Sequence, residues 1–229
     1  MIHRIALLSG LLAVSALAQE PPIQTEILTI ALDQAVDGLF FYDSKAAVPF
    51  QANITGLSQP VTYIGPRRFV LRASAAEFVA KPPLPPPAAF VDLPAKANRV
   101  LLCCLQSEGT ELKIVAYDIS STGSRAGDYR FFNFSKQALS VNLAGQSFAL
   151  DSKLDKNISD PSWRSEVLDL PMQVATVADR KARLVYSSVW GHRPGRRNFI
   201  FMFDGTHPSK PINICRFFDI PTTVKPPAS

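Results

Sequence analysis

Apolar and polar positions alternate, or run together, only over short stretches of this chain. Leu139, Val141 and Leu143 alternate with Ser140 and Asn142, the period of a strand with one buried face. β-Branched or aromatic runs predict further strands at residues 38–42, 69–71, 100–105, 112–117, 129–134, 184–190 and 199–203. Turn-forming pairs bound most of them: Gly109-Thr110, Gly127-Asp128, Ala144-Gly145 and Asp204-Gly205. Beyond the N-terminal segment no sustained 3.6-residue period appears, and only residues 160–167 suggest a single helical turn. The pattern predicts an all-β chain.

Three pairs of segments recur in order. Residues 39–50 align with 130–141 at a shift of 91, with five of twelve positions identical. Residues 114–119 align with 215–220 at a shift of 101. Between them the continuous apolar runs 100–104 and 199–203 correspond. These matches predict a duplication, with halves at 24–122 and 123–221. Each half carries enough short strands in roughly 100 residues for an immunoglobulin-like sandwich. The expected fold class is therefore all-β, two tandem immunoglobulin-like antiparallel β-sandwiches, with one larger jelly-roll sandwich as the alternative. The proline tract at 81–87 would form a stiff loop crossing between sheets. Residues 222–229 hold no core residues and are expected to be a disordered tail.

Composition changes the picture mainly at the N-terminus. Arg4, an apolar stretch over 5–17 and the small residues Ala16 and Ala18 read as a signal peptide covering residues 1–18. The apolar stretch falls short of the ~20 residues a membrane span needs, and no second run approaches that length. An exported chain, periplasmic or extracellular, with no transmembrane segment after cleavage is the expectation. The whole chain of 229 residues has a net charge of +5. That charge is uneven: residues 20–122 carry 8 basic and 10 acidic groups, residues 123–229 carry 15 and 9. The second half is the basic one, and an acidic partner for it follows as an expectation.

Three cysteines cannot build a disulfide scaffold. Cys103 and Cys104 are adjacent in a predicted strand, so they face opposite ways and at most one reaches Cys215. The readings are three buried thiols, or one bridge from Cys103 or Cys104 to Cys215. No metal site is expected: two histidines fifteen residues apart lack ligand spacing, and Asp151, Asp155 and Asp160 do not follow a calcium-loop pattern. No cofactor motif and no nucleophile elbow occur, and Ser187-Ser188 sit in a predicted strand. The sequons at Asn53, Asn133 and Asn157 read as chance.

The most distinctive local feature is the run at 190–197, Trp-Gly-His-Arg-Pro-Gly-Arg-Arg. It is predicted as the loop of a long hairpin, with 182–190 going out and 198–203 returning. Trp190, His192, Arg193, Arg196 and Arg197 form a candidate anion-binding set, because guanidinium forks match carboxylate, phosphate and sulfate. Charge guarding a strand edge is the plainer explanation.

The segments Tyr129-Arg-Phe-Phe-Asn-Phe-Ser135, Arg183-Leu-Val-Tyr-Ser-Ser188 and Arg196-Arg-Asn-Phe-Ile-Phe201 give the chain a family likeness. It resembles small exported bacterial proteins with tandem immunoglobulin-like β-sandwich repeats. That resemblance implies a fold and a compartment, and no catalytic residue. The expected function is a non-enzymatic binding or structural role, contacting an anionic polymer, lipid head groups or an envelope protein through the second half. Nucleic acid is not an expected partner. The alternatives are a secreted hydrolase using a carboxylate pair, or an accessory subunit of an envelope or secretion assembly that pairs through strand edges.

Overall fold

The computed structural model describes residues 21–106, 111–120, 124–178 and 181–221. The expected signal peptide, the half boundary at 122/123, the Gly109-Thr110 turn and the tail lie outside the described residues. Among the described residues sixteen strands occur, in two groups of eight. The first comprises β1 (Ile23–Ala31), β2 (Val36–Tyr42), β3 (Ala47–Ala52), β4 (Val61–Gly65), β5 (Arg68–Leu71), β6 (Ala89–Asp92), β7 (Arg99–Gln106) and β8 (Leu112–Asp118). The second comprises β9 (Tyr129–Asn133), β10 (Leu139–Leu143), β11 (Gln146–Leu150), β12 (Asp155–Ile158), β13 (Leu168–Ala178), β14 (Lys181–His192), β15 (Arg197–His207) and β16 (Lys210–Asp219). The protein is all-β, with a β-sandwich architecture.

Two four-stranded sheets share one plan. The order β4-β1-β7-β8 in the first group has the same form as β12-β9-β15-β16 in the second. In each, the first strand pairs parallel with the seventh: Leu28 lies opposite Leu101, and Phe131 opposite Ile200. A purely antiparallel arrangement was expected, and these two parallel pairs correct it. A third sheet runs β11-β10-β13-β14. Its counterpart is split into the hairpins β2-β3 and β5-β6, tied by one bridge between Phe40 and Arg72, whose backbones exchange two bonds of 2.9 Å.

Side-chain direction explains how the sheets stack. Ile27, Val100, Leu102 and Cys104 point from β1 and β7 into a core with Phe41, Phe50, Phe69 and Leu71. On the opposite faces, Leu28, Ile30, Leu101 and Cys103 meet Phe132, Phe199 and Phe201 from β9 and β15. The other faces of β9 and β15 carry Tyr129, Phe131, Ile200 and Met202 into a third core with Leu139, Val141, Met172 and Trp190. The molecule is thus four layers deep, and its two middle sheets are buried on both faces. That is why residues 100–104 and 199–203 are continuously apolar: a strand with two buried faces has no solvent side to alternate with.

Local signals account for the turns. Ala144 and Gly145 have φ of 51° and 86° and close a two-residue hairpin between β10 and β11. The expected helical turn is a 3-10 turn at Pro161–Arg164, capped by the Asp160 carboxylate accepting from the Ser162 N–H at 3.0 Å. Two expectations fail. Asp204-Gly205 is not a turn; it lies inside β15, where the register with β16 shifts between Asp204 and His207. A Cβ on Gly205 would overlap the Lys210 carbonyl oxygen, so glycine there marks a close backbone approach. The proline tract does not cross between sheets either. It belongs to the connection from β5 to its own partner β6, and Arg72 pins it by donating to the Pro85 carbonyl at 3.0 Å.

Candidate functional site

The run at 190–197 is not a hairpin loop. β14 pairs with β13 in the outer sheet, whereas β15 pairs with β9 and β16 in the adjacent one. Residues 193–196 step from one layer to the next. The physical cause is periodicity at the ends of the strands: Trp190 and His192 face the core of the outer sheet, and Arg197 opens a strand buried on both sides.

The five candidate residues therefore separate. Trp190 is buried, with its indole N–H donating to the Tyr186 hydroxyl at 2.9 Å. His192 is fully buried: its Nε2 lies 2.6 Å from the Trp163 carbonyl and its Nδ1 3.0 Å from the Tyr129 hydroxyl. A carbonyl only accepts, so Nε2 carries the hydrogen and Nδ1 takes the Tyr129 O–H. Burial raises the Tyr129 phenol pKa against the pull of Arg216, which keeps that hydrogen available. Arg197 is 1% exposed. Its guanidinium donates to both Asp219 and the Ile119 carbonyl, and to the Ser124 carbonyl at 3.2 Å. Burial pulls the Arg197 pKa down, and Asp219 opposes that shift. Asp219 also accepts from Arg99 of β7 at 3.0 Å, so this arginine joins the two groups of strands.

Arg193 and Arg196 remain accessible, and the fold adds a third arginine. A cleft of about 380 Å³ is lined by Arg193, Arg196, Arg216, Asn198 and Asp169, with the exposed apolar Val167 and Phe218 at its rim. Arg216 is held edge-on: Nη2 donates to Asn198 Oδ1 at 2.8 Å, the Gly191 carbonyl at 3.0 Å and the Tyr129 hydroxyl at 3.2 Å. Its guanidinium carbon lies 5.1 Å from the Trp190 ring centroid and 5.4 Å from that of Tyr129. Arg196 sits 4.5 Å over the Phe218 ring. Among the described residues, none of these three arginines has a carboxylate within ion-pair distance. A larger depression of about 810 Å³ beside Pro21, Arg67, Arg68 and Asp92 differs on this point, since Arg68 there is 3.5 Å from Asp92. Among the described residues no cluster of three or more metal-ligating His, Cys, Asp or Glu occurs.

Arg216 was missed in the sequence, and a signal for it existed. Ile212, Ile214 and Arg216 occupy alternate positions of β16, and the two isoleucines pack into the outer core. An arginine continuing an apolar stripe has to be bonded where it stops.

All three cysteines are free thiols. Cys103 and Cys104 point into different cores, as adjacent strand residues must. Burial raises Cys103, Cys104 (to about 12) and, less deeply, Cys215. We expect a thiol reagent at pH 8 to label neither Cys103 nor Cys104 in the native protein, and all three cysteines in denaturant. A single thiol under denaturing conditions would mean a bridge to Cys215.

No described protein family matches the chain, and no curated protein does. The chain is similar to a solved structure of a candidate cell adhesion protein from Bacteroides eggerthii, at 7% identity and a TM-score of 0.22 over 88% of this chain and 97% of that one. A likeness at that score carries no argument about this protein. Among the described residues no helix is long and apolar enough to cross a membrane.

Proposed function

We propose that this protein is an exported, non-enzymatic binding protein, and that its second group of strands holds an anionic component of the cell envelope in the cleft of Arg193, Arg196 and Arg216. The observation that supports this reading is the convergence of three guanidiniums on one cleft, none with a carboxylate within ion-pair distance among the described residues, against the single carboxylate of Asp169 in its wall. Arg216 is pre-organised by four polar contacts and two rings, so little side-chain entropy is lost when an anion docks on its free Nη1 edge. Arg193 and Arg196, on the step between layers, close over the same space. The ligand class is one presenting carboxylate, phosphate or sulfate groups beside an apolar portion, which Val167 and Phe218 would cover. A tandem duplication agrees with the shared strand order of the two groups.

The test is the double substitution Arg193→Ser with Arg196→Ser, which spares the buried cluster around Arg197. We expect wild-type protein to be retained on an anionic polymer column at low salt and the variant to elute earlier, with the difference vanishing at high salt. Unchanged elution of a folded variant would remove the cleft as the contact.

One observation favours a second reading, contact with a protein partner along a strand edge. β14 is twelve residues long, stands at the margin of its sheet, and exposes Leu184 and Val189. Capture of an envelope protein that resists high salt would favour that edge over the arginine cleft.

A further inference from the structure

The turn that precedes β9 carries a carboxylate whose environment is incomplete. Asp128 is 4% exposed. Its Oδ2 accepts from the Arg125 N–H at 2.8 Å and from Asn157 Nδ2 at 3.0 Å. Its Oδ1 has no hydrogen-bond partner, and no basic side chain lies within ion-pair distance among the described residues. Asn157, beside it on β12, also has a buried Oδ1 without a partner among the described residues. Turning that carboxamide over would not help, because its oxygen would then face the Asp128 carboxylate. Ser124, just before this turn and 1% exposed, has a hydroxyl without a partner among the described residues.

Buried acceptors of this kind are costly unless something meets them, and a buried charge is costlier still. A water would donate to two oxygens and leave the charge of Asp128 uncompensated. A cation answers both needs. The donors are all hard oxygens, which suits calcium and not zinc or copper.

We infer that Asp128 and Asn157 bind a calcium-class cation through their free Oδ1 atoms. This site is independent of the anion cleft and does not rest on it. With one carboxylate among its ligands its affinity is modest, a Kd of about 10⁻⁴ to 10⁻³ M, the range of extracellular modules. The cation would brace the turn against its neighbours. The Gly127 N–H donates to the Arg196 carbonyl at 2.8 Å, and Gly127, with φ of 92°, lies against the Trp163 carbonyl so closely that a Cβ would come within 2.8 Å of it.

The test uses the full chain, freed of metal with chelator and then titrated with calcium chloride, and reads thermal unfolding and terbium luminescence sensitised by tryptophan. Calcium at 10 mM is expected to raise the Tm by about 3–11 °C. Terbium should give a luminescence signal that calcium displaces. Asp128→Asn should weaken binding at least tenfold. Asn157→Asp should act in the opposite sense: less stable than wild type in chelator, where two carboxylates abut, and binding calcium more tightly than wild type. A misfolded variant cannot mimic that gain. No calcium effect on Tm and no terbium signal in wild type would overturn the site and leave ordered water as the occupant. An Asn157→Asp protein that binds calcium no better than wild type would overturn the ligand assignment.

Discussion

Asp219→Ala is expected to destabilise the protein by about 3–5 kcal/mol in urea unfolding, with little relief from added salt. Asp219 is the carboxylate that both Arg197 and Arg99 face, at the seam between the two groups of strands. Removing it takes away the counter-charge that the two buried guanidiniums share, while Glu26 stays 3.5 Å from Arg99 at the edge of the cluster. Buried charges are weakly screened, so salt should not rescue the variant. Arg193→Ser, on the exposed step only four residues before Arg197, should change stability by no more than about 0.5 kcal/mol. Equal effects from the two substitutions would show that the seam is not closed as described. This contrast also shows why Arg197 has no place in tests of anion binding: its loss would unfold the protein whether or not it touched a ligand.

Phe201→Ala should cost a further 3–5 kcal/mol, roughly, as expected for a large aromatic side chain removed from a full core. Phe201 is fully buried, stacks on Phe132 at 4.9 Å and approaches Phe217 at 6.0 Å. Its face of β15 is the one that meets β1 and β7. Were the two groups of strands joined only end to end, this side chain would stand on a solvent-facing sheet and its truncation would be nearly silent. Phe90→Ala is the control, since Phe90 is half exposed, with Arg68 4.5 Å over its ring. A loss at Phe201 no larger than at Phe90 would refute the four-layer packing.

Individual residues show what could be foreseen. The pairs 100–104 with 199–203 and 114–119 with 215–220 do occupy equivalent places, in β7 with β15 and β8 with β16. The longer match of 39–50 with 130–141 does not: it sets β2 and β3 against β9 and β10. Phenylalanine followed by serine and lysine recurs there because strands and tight turns draw on the same few residues, so identity at five positions says nothing about the layer in which a strand lies. Strands β1, β3, β4, β6, β11, β12 and β13 went unmarked, β1 and β12 because polar residues such as Gln24, Thr25, Glu26 and Asn157 interrupt them. Their pairing is supplied by neighbours distant in the chain: Glu26 lies opposite Thr62 on one side and Arg99 on the other.

The candidate site was half legible. Arg193 and Arg196 could be read because they lie in a run with turn residues, and such runs reach the surface. Arg197 and Arg216 could not be sorted. Each is an arginine at the margin of an apolar strand, and whether it becomes an ion-pair anchor or a ligand contact depends on what faces it. For Arg197 that is Asp219, 22 residues along the chain, with Arg99 behind it. For Arg216 it is an amide, a carbonyl and two aromatic rings, with no acid within ion-pair distance among the described residues.

By itself the sequence determined that the chain is all-β, where its most apolar strands run, and that its positive charge gathers in the second half. Those properties are set by periods of two and by composition, which act within a few residues. Only the tertiary structure decided that the apolar strands are buried on two faces, that the first and seventh strands pair parallel, and that one loop arginine is locked in a seam while a distant one completes the cleft. Those outcomes depend on which surface covers which, and a side chain's partners across a layer are not encoded in its neighbours along the strand.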